Sequence, residues 1–249
     1  MNDLVEYLLR LGDDALVTAQ RLAQWCASAP ELEEDVALAN IALDQLGAAR
    51  QFLSYAGELE GAGRDEDDLA YLRDDRQFRN CLLVELPDGD FACTIGRLLF
   101  LSAHQGLLYA RLAESSDDRL AGIAAKTRKE SEYHLDHASL WTLRLGDGTE
   151  ESHRRMQAAV DRLWPYTHEL FVGDALTGRL AAAGVAPGPA ALRPAWLALV
   201  EPVLTQATLH RPTDGWAPGG GREGLHTEHL SYLLGELQVV HRAHPGASW

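Results

Sequence analysis

The stretch KESEYHLDHASLW, residues 129–141, sets His134 and His137 among Glu130, Glu132 and Asp136. Imidazoles and carboxylates at helical spacing are the ingredients of a metal centre. Di-metal carboxylate sites inside four-helix bundles take a Glu from each of two helices and a Glu-x-x-His pair from each of the other two. Residues three apart lie about 60° apart around a helix, so both side chains of such a pair reach one interior point.

Tested against that spacing, the stretch is incomplete. His134 falls on an inward stripe of Leu120, Ala124, Thr127, Ser131, His134, Ala138, Trp141 and Leu145, where a ligand should lie. Three residues before it stands Ser131. Glu130 is four residues before and Glu132 two, so neither has the required offset. His137 follows His134 by three, but two neutral imidazoles do not replace bridging carboxylates. The segment LDQLGAAR repeats the pattern: Gln45 and Ala48 occupy the paired positions, and Asp44 is followed three residues on by Gly47. A third long segment offers Ser102 and His104 with no acid between Phe91 and Glu114. The first offers Asp13 and Asp14 alone in its middle. Six inward ligands, four of them carboxylates, are not assembled. No catalytic, cofactor-binding or metal residue is expected; Gln45, Ala48, Ser131 and His134 read as degenerate ligand positions, with Asp44 and Glu130 as nearby polar groups and the expected partners of His134. The string GLHTEHL places His226 and His229 on either side of Glu228, but it is not HExxH. Thr227 reads there as an N-cap and Glu228 as a first-turn acid.

The elements that position these residues are helical. Leu4, Leu8, Leu11, Ala15, Thr18, Leu22 and Trp25 recur at intervals of three and four, one face of a first helix. Pro30 and the acids of PELEED open a second. That helix has two apolar stripes: Leu32, Val36, Ala39, Leu43, Leu46 and Leu53 on one side, and Leu38, Ile41, Gln45, Ala48, Phe52 and Tyr55 on the other. A helix apolar on two faces is covered twice, by its own bundle and by a second subunit. GELEGAGRDEDD reads as a connection, followed by a short helix around LAYLRDDRQF. Long helices follow over about 91–114, 118–145 (ending at Gly146 as a C-cap) and 149–170. Pro/Gly loops flank a helix near 196–209 and precede a last one near 227–241. These elements predict an all-α chain: a single domain over residues 1–249, with a four-helix bundle over about 1–170 and a helical extension over about 171–249.

The net charge of −15 disfavours a nucleic-acid backbone as ligand. No apolar run approaches the roughly 20 residues that span a bilayer, and MNDLVEYLLR is unlike a signal peptide. Cys26, Cys81 and Cys93, without CxxC spacing and among apolar neighbours, read as buried reduced thiols of a cytoplasmic protein.

The opening LRLGDDALVTAQRLAQWCASAPELEEDVALANIALDQLGAARQFLSYAGEL, then RDDRQFRNCLLVELPDGDFA, KESEYHLDHASLW, RLGDGTEES, and GLHTEHL with the terminal Trp249 together resemble one family over essentially the whole chain. It is the C-subunit family of bacterial phenylacetyl-CoA epoxidases, the multicomponent ring-1,2-epoxidases (monooxygenases) of aerobic phenylacetate catabolism. The resemblance implies a ferritin-like fold and a structural, non-catalytic role beside a homologous A subunit that holds the di-iron centre and binds phenylacetyl-CoA. It implies a reductase subunit with flavin and iron–sulfur cofactors, fed by NADPH, and no cofactor in this chain. Gln45, Ala48 and Ser131 agree with the C role rather than the A role. Two other readings compete: an autonomous di-metal oxygenase with atypical ligands (His134, His137, Glu130, Asp44), and a helical module binding a small ligand in its interior.

Overall fold

The computed structural model describes residues 2–247; Met1, Ser248 and the Trp249 of the matched pattern lie outside them. The described residues form ten α-helices: α1 (Asp3–Ala23), α2 (Leu32–Glu60), α3 (Glu66–Tyr71), α4 (Leu82–Glu85), α5 (Phe91–Leu112), α6 (Asp118–Gly146), α7 (Glu150–Thr167), α8 (Ala175–Ala182), α9 (Arg193–Gln206) and α10 (Glu228–Ala243). No strand occurs among the described residues, so the chain is all-α as expected. They divide into two compact units: residues 1–87 with 219–249, and residues 88–218. Each unit is built on one pair of long helices, and residues 171–249 are shared between the two.

In the first unit α1 and α2 form a helical hairpin. Asn2 caps α1 by accepting from the Leu4 amide at 3.1 Å. Leu8, Leu11, Ala15, Thr18 and Leu22 are buried as the spacing predicts, whereas Trp25 lies beyond the helix end. Gly12 sits where α2 crosses closest: a Cβ there would stand 2.7 Å from Leu53 Cδ2. α2 begins at Leu32, not Pro30, with Glu33, Glu34 and Asp35 in its first turn. It continues through GELE, expected as loop, and stops at Gly61, whose φ of 69° favours glycine. α3, α4 and α10 complete the unit, with Leu69, Leu83, Leu230 and Leu233 buried.

In the second unit α5 and α6 are joined by residues 113–117, and Asp90 and Asp117 cap them by accepting from the amides of Cys93 and Leu120. α5 is the one helix among the described residues long and apolar enough to cross a membrane, with a mean hydropathy of 1.2 over its best window, which corrects the expectation that no run approaches that length. Its composition has a packing cause: 83% of that window is buried inside the protein, so the helix is covered on nearly every side. Beside it Phe100, Trp164, Trp196 and Phe171 form an aromatic cluster with centroids 5.2–5.8 Å apart, and Trp196 Nε1 donates to the Phe100 carbonyl at 2.9 Å. Gly146 is the last residue of α6 rather than its cap. It has no room for a Cβ because the Ala207 carbonyl lies against it, and its own carbonyl takes hydrogen bonds from the His153 ring at 2.7 Å and the Thr208 hydroxyl at 3.2 Å.

Cys26 corrects the reading of three buried thiols. It is exposed in the turn after α1, while Cys81 and Cys93 are buried.

Candidate functional site

The four positions read as degenerate ligands are all buried. Gln45 and Ala48 on α2 are 2% and 1% exposed, in the first unit. Ser131 and His134 on α6 are 0% and 1% exposed, in the second. Each helix is therefore judged by what its own face offers. α2 offers an amide and a methyl group. α6 offers an imidazole and a hydroxyl that is already engaged: Ser131 Oγ donates to the Thr127 carbonyl one turn back at 3.1 Å. Thr127 and Thr142 close on Ile123 and Ala138 in the same way, so the inner face of α6 satisfies its hydroxyls internally. Glu130 is half-buried and faces Lys126 at 3.9 Å, an i,i+4 pair on the helix surface. Asp44 and His137 are also half-buried. Neither the amide and methyl of α2 nor the imidazole and hydroxyl of α6 include the carboxylates that bridge and charge-balance two irons, so neither set of residues fits its share of a di-iron group. Among the described residues no group of three or more His, Cys, Asp or Glu is arranged to hold a metal ion.

The acids of α1 have another use, which the spacing of residues gave no means of seeing. Asp13 is fully buried and grips the Arg73 guanidinium with both oxygens, while its Oδ2 also accepts from the Arg79 amide at 2.8 Å. Asp14 takes a two-pronged contact from Arg222, at 2.9 and 2.7 Å, and a 2.7 Å bond from the Cys81 amide. Glu85, also fully buried, accepts from Asn80 Nδ2 at 2.8 Å, from the Thr227 amide at 2.6 Å and contacts His226 Nδ1 at 2.7 Å. The Arg21 guanidinium then ties the Glu85 carbonyl at 2.6 Å to the His229 carbonyl at 3.3 Å. The string RDDRQFRNCLLVE, Arg222 and the string GLHTEHL are thus sewn to α1 by hydrogen bonds between residues 60 to 208 apart. Thr227 holds the N-cap position of α10 as expected but makes no side-chain cap; its amide is satisfied by Glu85 instead.

The outer stripe of α2 is the other distinct feature. Leu32, Val36, Leu43 and Leu46 are 75%, 54%, 65% and 44% exposed, whereas Leu38, Ile41, Gln45, Ala48, Phe52 and Tyr55 on the opposite stripe are all buried. Leu53, placed on the outer stripe by its spacing, is buried at 1% because it packs over Gly12. With Ala39, also exposed, these positions follow a 4-3-4-3 rhythm, the narrow seam of helix-on-helix packing. A groove of about 380 Å³ opens beside them, lined by Leu16, Ala19, Ala42, Leu43, Leu46 and Leu237 among others.

A family model described as phenylacetic acid catabolic protein matches residues 1–249, the entire chain. The chain belongs to that family. Within it, the chain is 52% identical to a protein of Escherichia coli (strain K12) named as the C subunit of 1,2-phenylacetyl-CoA epoxidase, over 249 residues that cover all of both chains. The strings that carried the resemblance all fall within the matched residues. The network on Asp13, Asp14 and Glu85 gives two of them, RDDRQFRNCLLVELPDGDFA and GLHTEHL, a structural reason: they supply Arg73, Arg79 and Glu85, and His226 and Thr227.

Proposed function

We propose that this chain is the structural, non-catalytic subunit of a multicomponent phenylacetyl-CoA ring-1,2-epoxidase. One observation carries the reading: full-length identity of 52% to a protein named as the C subunit of that enzyme. The reaction consumes O2 and two reducing equivalents, placing one oxygen atom across a double bond of the thioester's aromatic ring and sending the other to water. The side chains at Gln45, Ala48, Ser131 and His134 support assigning no step of this to the present chain, because they lack the carboxylates a di-iron centre requires. The iron is held by a homologous A subunit, and electrons arrive through a reductase with flavin and iron–sulfur cofactors. The chain works in the cytoplasm, without nucleic acid or membrane.

Its contribution is a surface. The exposed seam of α2 is the face buried against the A subunit. Four large aliphatic side chains left in water on one helix are a cost to a lone chain and a gain to a complex, at roughly 25 cal/mol per Å² buried. Co-expression with the A subunit followed by native mass determination tests the assignment. A stable hetero-oligomer containing both chains is expected; a well-behaved monomer that ignores its partner on mixing would remove the assignment.

A further inference from the structure

Residues 219–249 return to the first unit through a short loop and α10, and His226 lies on that loop. Its side chain is only 4% exposed and sits between two oxygen atoms. Nδ1 is 2.7 Å from Glu85 Oε2, and Nε2 is 3.0 Å from the Phe78 carbonyl oxygen. A carbonyl only accepts, so Nε2 must carry a proton. The contact with Glu85 needs a second proton, held between the imidazole and the carboxyl. The other bonds to Glu85, from Asn80 Nδ2 and the Thr227 amide, are donated to it and supply none. The pair therefore binds one proton more than a neutral histidine beside a carboxylate. Without that proton, two lone pairs face each other at hydrogen-bond distance in a site closed to solvent.

We propose that His226 and Glu85 form a proton-operated latch that holds the loop before α10, and the start of α10 itself, against α4, and that lets them go as pH rises. The groups around the latch come from every packed element. α1 brings Asp13, and Arg21 on the Glu85 carbonyl. The 75–77 turn brings Asp75, bound to Ser231 of α10 at 2.7 Å. Arg79 shares the Phe78 carbonyl at 2.8 Å, and the Arg73 guanidinium lies 4.3 Å over the Phe78 ring. Burial alone would lower the histidine pKa, but the hydrogen bond and charge of Glu85, then the Phe78 carbonyl and Asp13, outweigh it and raise the value above the ordinary one. A raised folded-state pKa gives stability that is complete below the unfolded histidine's value of about 6.5 and is lost as pH climbs through the folded one. The second fastening, Arg222 on Asp14, carries no titrating histidine and stays closed.

Hydrogen exchange on the full chain between about pH 6 and 9.5, corrected for intrinsic rates, reads the latch directly. Protection in peptides from 219–243 should fall up to about tenfold per pH unit above roughly pH 6.5, then level off beyond the raised pKa, while α5 and α6 peptides show no such step. In His226→Asn, which cannot titrate, the step should vanish. Should that variant fail to fold, the wild-type profile decides alone. A 219–243 profile parallel to that of α5 and α6, or a step that persists in His226→Asn, overturns the latch.

Discussion

Replacing Leu43 and Leu46 of α2 together by aspartate is expected to weaken association with the A subunit by about a thousandfold or more. Both side chains are exposed in the isolated chain, at 65% and 44%. Fully burying an exposed leucine contributes about 1.5–3 kcal/mol, and with roughly half of each side chain left to bury, losing two removes about 1.6–3.3 kcal/mol. Forcing two carboxylates into a desolvated seam adds to the loss, and about 4 kcal/mol is a thousandfold in Kd. Folding should suffer far less. Exposed positions tolerate substitution within about 0.5 kcal/mol each, and aspartate costs a similar amount in helix propensity. Titration of the variant against the partner, with thermal unfolding of the free chain in parallel, separates the two effects. Undiminished binding would place the interface on a different face.

The second large effect concerns folding. Asp13→Ala should destabilise the chain by about 3–5 kcal/mol, because it leaves the Arg73 guanidinium, only 3% exposed, buried without its carboxylate. The Arg79 amide loses its acceptor in the same change. The contrasting case is Glu132→Ala on α6 in the second unit. There Glu132 meets Arg128 at 2.7 Å, but the two side chains are 53% and 48% exposed, and a pair so open to water is worth less than about 1 kcal/mol. Denaturant midpoints for the two variants should differ accordingly. Pairing Asp13→Leu with Arg73→Met should recover much of the loss, since the penalty lies in the orphaned charge rather than in the absence of the bridge. Equal, small shifts for Asp13→Ala and Glu132→Ala would show that burial does not decide the matter.

The long helices were legible because their apolar residues recur at helical intervals. The inward placement of Ser131 and His134, and the exposure of one α2 stripe, followed from the same periodicity. Periodicity reports only which face a residue occupies, and the surprises arise where tertiary contacts set a residue's role. Asp13 and Asp14 showed only as acids in the middle of the first helix, and Glu85 carried no signal, because Arg73, Arg222 and His226 reach them from distant segments, at spacings no local pattern encodes. Gly146 looked like a cap because nothing in the sequence announced the Ala207 backbone beside it. Cys26 has apolar neighbours in sequence, yet it falls in the turn after α1, where the chain turns outward. Leu53 shares the rhythm of the exposed seam but is claimed by Gly12 on α1. The reading of Gln45, Ala48, Ser131 and His134 as degenerate ligand positions rests on residue types alone, because a missing carboxylate three residues before a histidine is a statement about composition rather than fold.

The central claim is that this chain supports an oxygenase without holding its metal. Iron analysis of each chain, after the complex is purified and its components separated, tests that claim most directly. Iron confined to the A subunit, with a negligible content in this chain that His134→Ala does not alter, is the predicted result. About two irons in this chain, lost on His134→Ala, would contradict it.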